Sequence, residues 1–178
     1  MKTALITGIS GQDGAILAKI LLSNNIKVVG TFRRGDSRKL WRLEELNIKD
    51  EIILVASDLQ ETLPLLQIFD NYSPDYIFHL AGNSFVADSF EQPQRVINDS
   101  ISMCINILEI LRFRKSKAWM FIAGSSEIYG GNDTNIIDEK SAPMPMNPYG
   151  VAKASIQSLS RIYISSYNLR LCFGILFN

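Results

Sequence analysis

The sequence predicts an α/β fold: a doubly wound parallel sheet of about six strands. Three observations carry the prediction. Short β-branched or apolar runs alternate with longer segments of helical periodicity along the 178 residues, a glycine-rich turn joins the first run to the first helix, and no internal repeat or linker breaks the series. Alternation of this kind means right-handed βαβ units, a parallel sheet and helices on both faces. Ligands in such folds sit outside the carboxyl ends of the strands.

Taken in order, Thr3–Thr7 reads as the first strand, and the apolar stripe of Ile16–Leu22 as the first helix. Lys27–Phe32 is a second strand, followed by a basic turn and a short helix near Leu40–Leu46. Glu51–Ala56 predicts a third strand and Thr62–Tyr72 a helix, with Pro64 tolerable in its first turn. Asp75–Leu80, the long helix Val96–Phe113 and the strand Ala118–Ala123 come next. After a loop rich in Asn, Pro and Met, a helix runs from about Tyr149 to Tyr167, and Leu169–Phe177 closes the sheet.

Composition narrows the class of protein. Lys+Arg 18 against Asp+Glu 18 gives no net charge, so nothing global favours nucleic acid or an acidic membrane surface as a partner. No apolar run reaches the roughly 20 residues of a membrane span, and the apolar stretch before Gly8 is too short for a signal-peptide core. A cytoplasmic protein is expected. Cys104 and Cys172 lie in apolar surroundings without metal-ligand spacing, so both are expected to be reduced core residues, and no metal is expected.

The first strand runs into Thr7-Gly8-Ile9-Ser10-Gly11-Gln12-Asp13-Gly14. Its glycines permit a tight turn, close approach of backbone amides to a pyrophosphate, and close packing of helix on strand. Placed at the first βα junction, the turn predicts a bound dinucleotide held by Gly8, Ile9, Ser10, Gly11, Gln12, Asp13 and Gly14. At the end of the second strand an acid would bind the adenosine ribose, whereas Arg would pair with a 2′-phosphate. This chain has Arg33-Arg34 there, which favours NADP over NAD. Arg38, Lys39 and Arg42 read as a solvated helix face. Asp58-Leu59, after the third strand, place a carboxylate for the adenine amino group, and Leu80-Ala81-Gly82-Asn83-Ser84 supply small residues where the cofactor passes. His79, the lone histidine, reads as a core residue.

Gly124-Ser125-Ser126-Glu127 ends the fifth strand, and Tyr149-Gly150-Val151-Ala152-Lys153 opens the last helix. Tyr149 and Lys153, four residues apart, share a helical face. The ammonium, with the positive ring of the cofactor, can lower the phenol toward a usable general base, and the Ser125 hydroxyl can orient the same substrate oxygen.

The segments TGISGQDG, RR, DL, LAGNS, SSEIYG, NPYGVAK and YNLRLCFGILFN stand in the order found in extended short-chain dehydrogenases that act on nucleotide sugars. The GQDG turn, the Arg pair and GILFN most resemble the GDP-mannose 4,6-dehydratase family. The resemblance covers the whole chain and implies that Ser125, Glu127, Tyr149 and Lys153 are catalytic. It also implies that Ser84, Ser125, Glu127 and Asn178 meet the substrate and that NADP is recycled during dehydration of GDP-mannose. Ser125 stands where the family usually has Thr, and Arg95 where it has an aromatic cofactor contact. Elimination of water across C5–C6 needs an acid/base beside the Tyr–Lys pair, a role that suits Glu127; related decarboxylases share S-E-x-Y-G.

Residues 1–178 are therefore expected to be the NADP-binding Rossmann domain with the catalytic residues, the C-terminal substrate domain being absent. A homodimer or homotetramer is implied by the resemblance, as is a nucleotide-sugar substrate. The alternatives are another nucleotide-sugar epimerase, reductase or decarboxylase, or a non-catalytic NADP-binding module.

Overall fold

The computed structural model describes residues 1–33, 35, 37–83, 85–132 and 136–177, with the side chains of Ser37 and Arg38 left aside. Its centre is a six-stranded sheet in the order β3-β2-β1-β4-β5-β6. The strands are β1 (Thr3–Thr7), β2 (Lys27–Phe32), β3 (Ile53–Ala56), β4 (Tyr76–His79), β5 (Trp119–Ala123) and β6 (Arg170–Gly174). Every pairing is parallel. β1 is buried along its whole length between β2 and β4, where the strand order reverses. That reversal opens the crevice where doubly wound folds bind ligands.

Among the described residues six α-helices complete the fold: α1 (Gln12–Ser23), α2 (Trp41–Glu45), α3 (Thr62–Tyr72), α4 (Val86–Glu91), α5 (Pro93–Phe113) and α6 (Pro148–Tyr167). The two-residue alternation of the strands divides the core. Leu5, Ile77, Met120 and Ile122 face one side, under α3, α5 and α6, while Ala4, Ile6 and Val28 face the other, under α1 and α2. The second cluster reaches β4 through Tyr76 and Phe78 and contains no residue of β5 or β6.

Element ends shift by a few residues from expectation, most plainly in β3 and β6, and one helix was not foreseen. A 3-10 turn at Lys49–Glu51 takes the residues before Ile53, so β3 is shorter than Glu51–Ala56. β6 stops at Gly174 because the chain then turns toward the loop after β5, with Leu176 O accepting from Ser126 N at 2.8 Å. α4 was not predicted; its single buried residue, Ser89, leaves no apolar stripe to read. Cys104 is buried, as expected, and burial pushes its thiol up to about 12. Cys172 is exposed, contrary to expectation, because it lies on the outer strand β6 in register with Phe121. That side of β5 and β6 carries no share of the second core cluster. No helix of the described residues is long and apolar enough to cross a membrane.

Candidate dinucleotide and catalytic site

Gly8 leaves β1 with φ +78°, and a Cβ there would lie 2.8 Å from Ala81 N. The turn therefore demands a residue without a side chain on both conformational and steric grounds. Gly14, in the first turn of α1, has the Gly8 carbonyl oxygen 2.5 Å from the place of a Cβ, so helix and turn touch backbone to backbone. Gly11 precedes α1 without a side-chain cap, leaving helix N–H groups turned toward the crevice. An uncapped N-terminus with small residues around it suits a pyrophosphate.

The crevice is a cleft of about 980 Å³. Of the predicted cofactor residues, Gly8, Ser10, Gly11, Gln12, Asp13, Gly14, Arg33, Leu59, Leu80, Ala81, Gly82, Tyr149 and Lys153 line it. Two do not. Ile9 is fully buried, and its amide donates to Thr31 O at 3.2 Å, so it anchors the turn to β2. Asp58 folds its carboxylate locally, Oδ1 accepting from Gln60 N at 3.0 Å. Arg34, Ser84 and Asn178 lie outside the described residues.

Sequence reasoning missed several lining groups. Lys39 and Arg42 border the cleft instead of forming a purely solvated face, and Arg42 Nη1 donates to Ser10 O at 3.2 Å, bracing the phosphate turn. Ser57 lines the cleft at the end of β3, 2% exposed, and its buried Oγ has no hydrogen-bond partner among the described residues. An orphaned hydroxyl in the cleft that Arg33, Lys39 and Arg42 also line is what an adenosine phosphate or ribose would satisfy. These residues fit a dinucleotide. Among the described residues no cluster of three or more His, Cys, Asp or Glu could hold a metal.

β5 ends at Ala123, whose carbonyl accepts from Lys153 Nζ at 2.6 Å, so β5 and α6 are joined through the lysine. Burial pulls the Lys153 ammonium down to about 8, with the neighbouring Cys104 acting weakly in the other direction. The Tyr149 phenol is raised by burial; a hydrogen bond with Ser125 opposes this, and the Glu127 carboxylate adds to it. The expected lowering by Lys153 is therefore not a property of the protein alone: the ammonium is engaged at Ala123 O and lies 5.5 Å from the phenol ring centre.

Glu127 sits in a 3-10 turn, Ser126–Tyr129, and its amide donates to Ser125 Oγ at 3.2 Å. Its Oε2 accepts from Asn147 Nδ2 at 2.6 Å. Asn147 caps α6, Oδ1 accepting from Gly150 N at 2.7 Å. One amide side chain thus fixes both the carboxylate and the helix start that carries Tyr149. The pattern Asn147-Pro148 is a helix-start signal that could have revealed it. Glu127 stands just beyond the cleft that Ser125, Tyr149 and Lys153 line.

His79 is buried and bonded through Nδ1 to Thr7 Oγ1 at 2.8 Å, which also accepts from Ala81 N at 3.3 Å. Burial lowers its imidazole to about 3, with the Lys153 charge adding to the effect, so the ring is neutral and ties β1 to the loop after β4.

Comparison with known proteins agrees with this geometry. The family profile described as GDP-mannose 4,6 dehydratase matches residues 5–178. A GDP-mannose 4,6-dehydratase of Yersinia enterocolitica is 34% identical over 185 residues, covering 100% of this chain and 50% of the relative. GDP-mannose 4,6 dehydratase 2 of Caenorhabditis elegans is 33% identical over 186 residues, covering 99% and 49%. The chain thus spans about half the length of the curated relatives it matches. Among solved structures, the UDP-Glc/GlcNAc 4-epimerase of Campylobacter jejuni superposes with TM-score 0.90 at 20% identity, over 100% of this chain and 54% of that one. A dTDP-glucose 4,6-dehydratase of Bacillus anthracis, in complex with NAD, gives 0.84 at 17%, over 98% and 54%. At these identities the structural likeness speaks for the fold.

Proposed function

This chain belongs to the GDP-mannose 4,6 dehydratase family, and from that premise we propose that it is the NADP-binding and catalytic domain of a lyase converting GDP-mannose to GDP-4-keto-6-deoxymannose. Glu127 carries the reading. An epimerase or reductase needs only tyrosine, lysine and a hydroxyl, whereas elimination needs a carboxylate beside them. Here that carboxylate is held by Asn147, the cap of the helix bearing Tyr149 and Lys153.

The Gly8–Gly14 turn and the start of α1 would hold the pyrophosphate, and Arg33 and Ser57 the adenosine end. When bound, NADP supplies the hydride store for C4 and C6 and a positive ring charge that favours an ionised phenol. Tyr149 takes the O4 proton, and Ser125, which lines the cleft with the phenol, orients the same oxygen. Lys153 keeps two of its three N–H donors for the phenol and the ligand, the third being held by Ala123 O. With C4 a ketone, C5–H becomes acidic. Glu127 removes that proton and delivers one to the C6 hydroxyl, which leaves as water.

The test is Glu127→Gln in the chain fused to the C-terminal half of the Yersinia relative, given GDP-mannose and NADP. C4 oxidation survives, nicotinamide absorbance rises, and exchange of the C5 proton with deuterated solvent stops. Dehydration falls about 10²–10⁴-fold, the usual effect of losing an acid/base. Dehydration at the parental rate would remove Glu127 from the mechanism, and a parental enzyme that only inverts C4 would reject the dehydratase reading.

A further inference from the structure

Arg33 leaves β2 on one wall of the cleft, and Arg95 and Asp99 project from α5 on the other. Asp99 Oδ2 lies 3.7 Å from Arg33 Nη2 and 3.7 Å from Arg95 Nε. We propose that these three residues form a phosphate clasp: Arg95 is a second guanidinium for the 2′-phosphate of the dinucleotide, and Asp99 is the carboxylate that this phosphate displaces. The inference rests on the assignment of NADP above.

The geometry is that of a placeholder. Both contacts are longer than a hydrogen bond. The side chains are 48% exposed at Arg33, 64% at Arg95 and 25% at Asp99, so solvent weakens both ion pairs. Beyond Asp99, Arg95 makes one hydrogen bond, from Nη1 to Gln92 Oε1 at 3.0 Å within its own segment. A guanidinium has five donors, so most of the donor capacity here is unspent on protein. Asp99 offsets the mutual repulsion of two cations and keeps both at the mouth. A phosphate monoester carries nearly twice the charge of a carboxylate and three acceptor oxygens, so it outbids Asp99 for both forks. Once it is bound, Asp99 faces it as a like charge. Arg95 therefore adds affinity for the 2′-phosphate, and Asp99 subtracts from it.

Calorimetric titration of this 178-residue chain with 2′,5′-ADP and 5′-AMP, which differ only in the 2′-phosphate, separates the possibilities. The expected result for Arg95→Ala is about a ten-fold loss in affinity for 2′,5′-ADP with 5′-AMP unchanged, as for one charge-assisted contact. Asp99→Asn is expected to bind 2′,5′-ADP several-fold tighter, an advantage that shrinks with added salt. Equal losses for both nucleotides in Arg95→Ala would place Arg95 at another phosphate and overturn the clasp. So would unchanged affinities, or weaker 2′,5′-ADP binding by Asp99→Asn. A parental chain that binds both nucleotides alike rejects the NADP assignment itself, a failure distinguishable from the others. Arg95 and Asp99 keep solvent contact, and a far-ultraviolet spectrum identical to the parent's checks each variant's fold.

Discussion

Single residues in this site do two kinds of work, and only one kind is visible in a sequence. Gly8, Gly14, Tyr149 and Lys153 were legible because backbone conformation and helical spacing constrain them locally. Ser57 was not, since its role depends on where β3 ends beside β2, a tertiary fact. His79 was legible as a core residue, and its titration makes a test. Its folded value of about 3 lies below the ordinary 6.5, so between those values the unfolded chain binds the extra proton. Stability from this group is fully present above pH 6.5 and is lost as pH falls toward 3. The slope approaches about 1.4 kcal/mol per pH unit in the middle of that window. His79→Asn, whose amide can replace the Nδ1 contact with Thr7, removes the slope while leaving the carboxylate contributions common to both proteins. Urea unfolding across this range should show the parent's lead over the variant narrowing as pH falls; parallel curves would contradict it.

At the scale of elements, all six strands and five of the six helices were foreseeable from alternation and periodicity, and the differences lie at ends. β6 ends early because Leu176 pairs with the loop after β5, and α4 has too little apolar surface to announce itself. Arg42 misled because a charged residue on a short helix usually faces solvent, whereas here the helix lies against the phosphate turn. The start of α6 is the element on which the chemistry depends, and Asn147 holds it from two sides. Asn147→Ala should destabilise the protein by about 1–2 kcal/mol through loss of the cap. Asn147→Asp keeps the cap acceptor but sets a second carboxylate against Glu127. It should unfold at lower urea than the parent at pH 7 and recover part of the difference near pH 4, where carboxylates take up protons. A variant as stable as the parent at both pH values would show that the Glu127 contact has no energetic weight.

For the whole molecule, the doubly wound parallel sheet follows from the alternation in the sequence, but its order β3-β2-β1-β4-β5-β6 and the surfaces that order leaves exposed had to be seen. One is the side of β5 and β6 where Cys172 lies in register with Phe121; sequence reasoning had placed Cys172 in the core. Another runs along α6, where Val151 and Ile162 are 41% and 50% exposed. Val151, Ser155, Ser158 and Ile162 recur at helical spacing on one stripe, small residues between apolar ends. On the adjoining helix α5, Ile97, Ile101 and Ile105 form a second stripe, only partly buried. Two such helices, already packed on each other, present a surface that a second copy can cover by two-fold symmetry. We therefore expect a homodimer built on α5 and α6, and light scattering at micromolar concentration should give twice the chain mass. Ser158→Arg, at an exposed position, should leave the monomer folded, since no core contact is lost, yet place two guanidiniums in a closely packed interface. Its mass should fall to that of one chain while its circular dichroism and thermal transition remain cooperative. A parental chain that scatters as a monomer, or a variant that stays dimeric, would remove this face from the assembly.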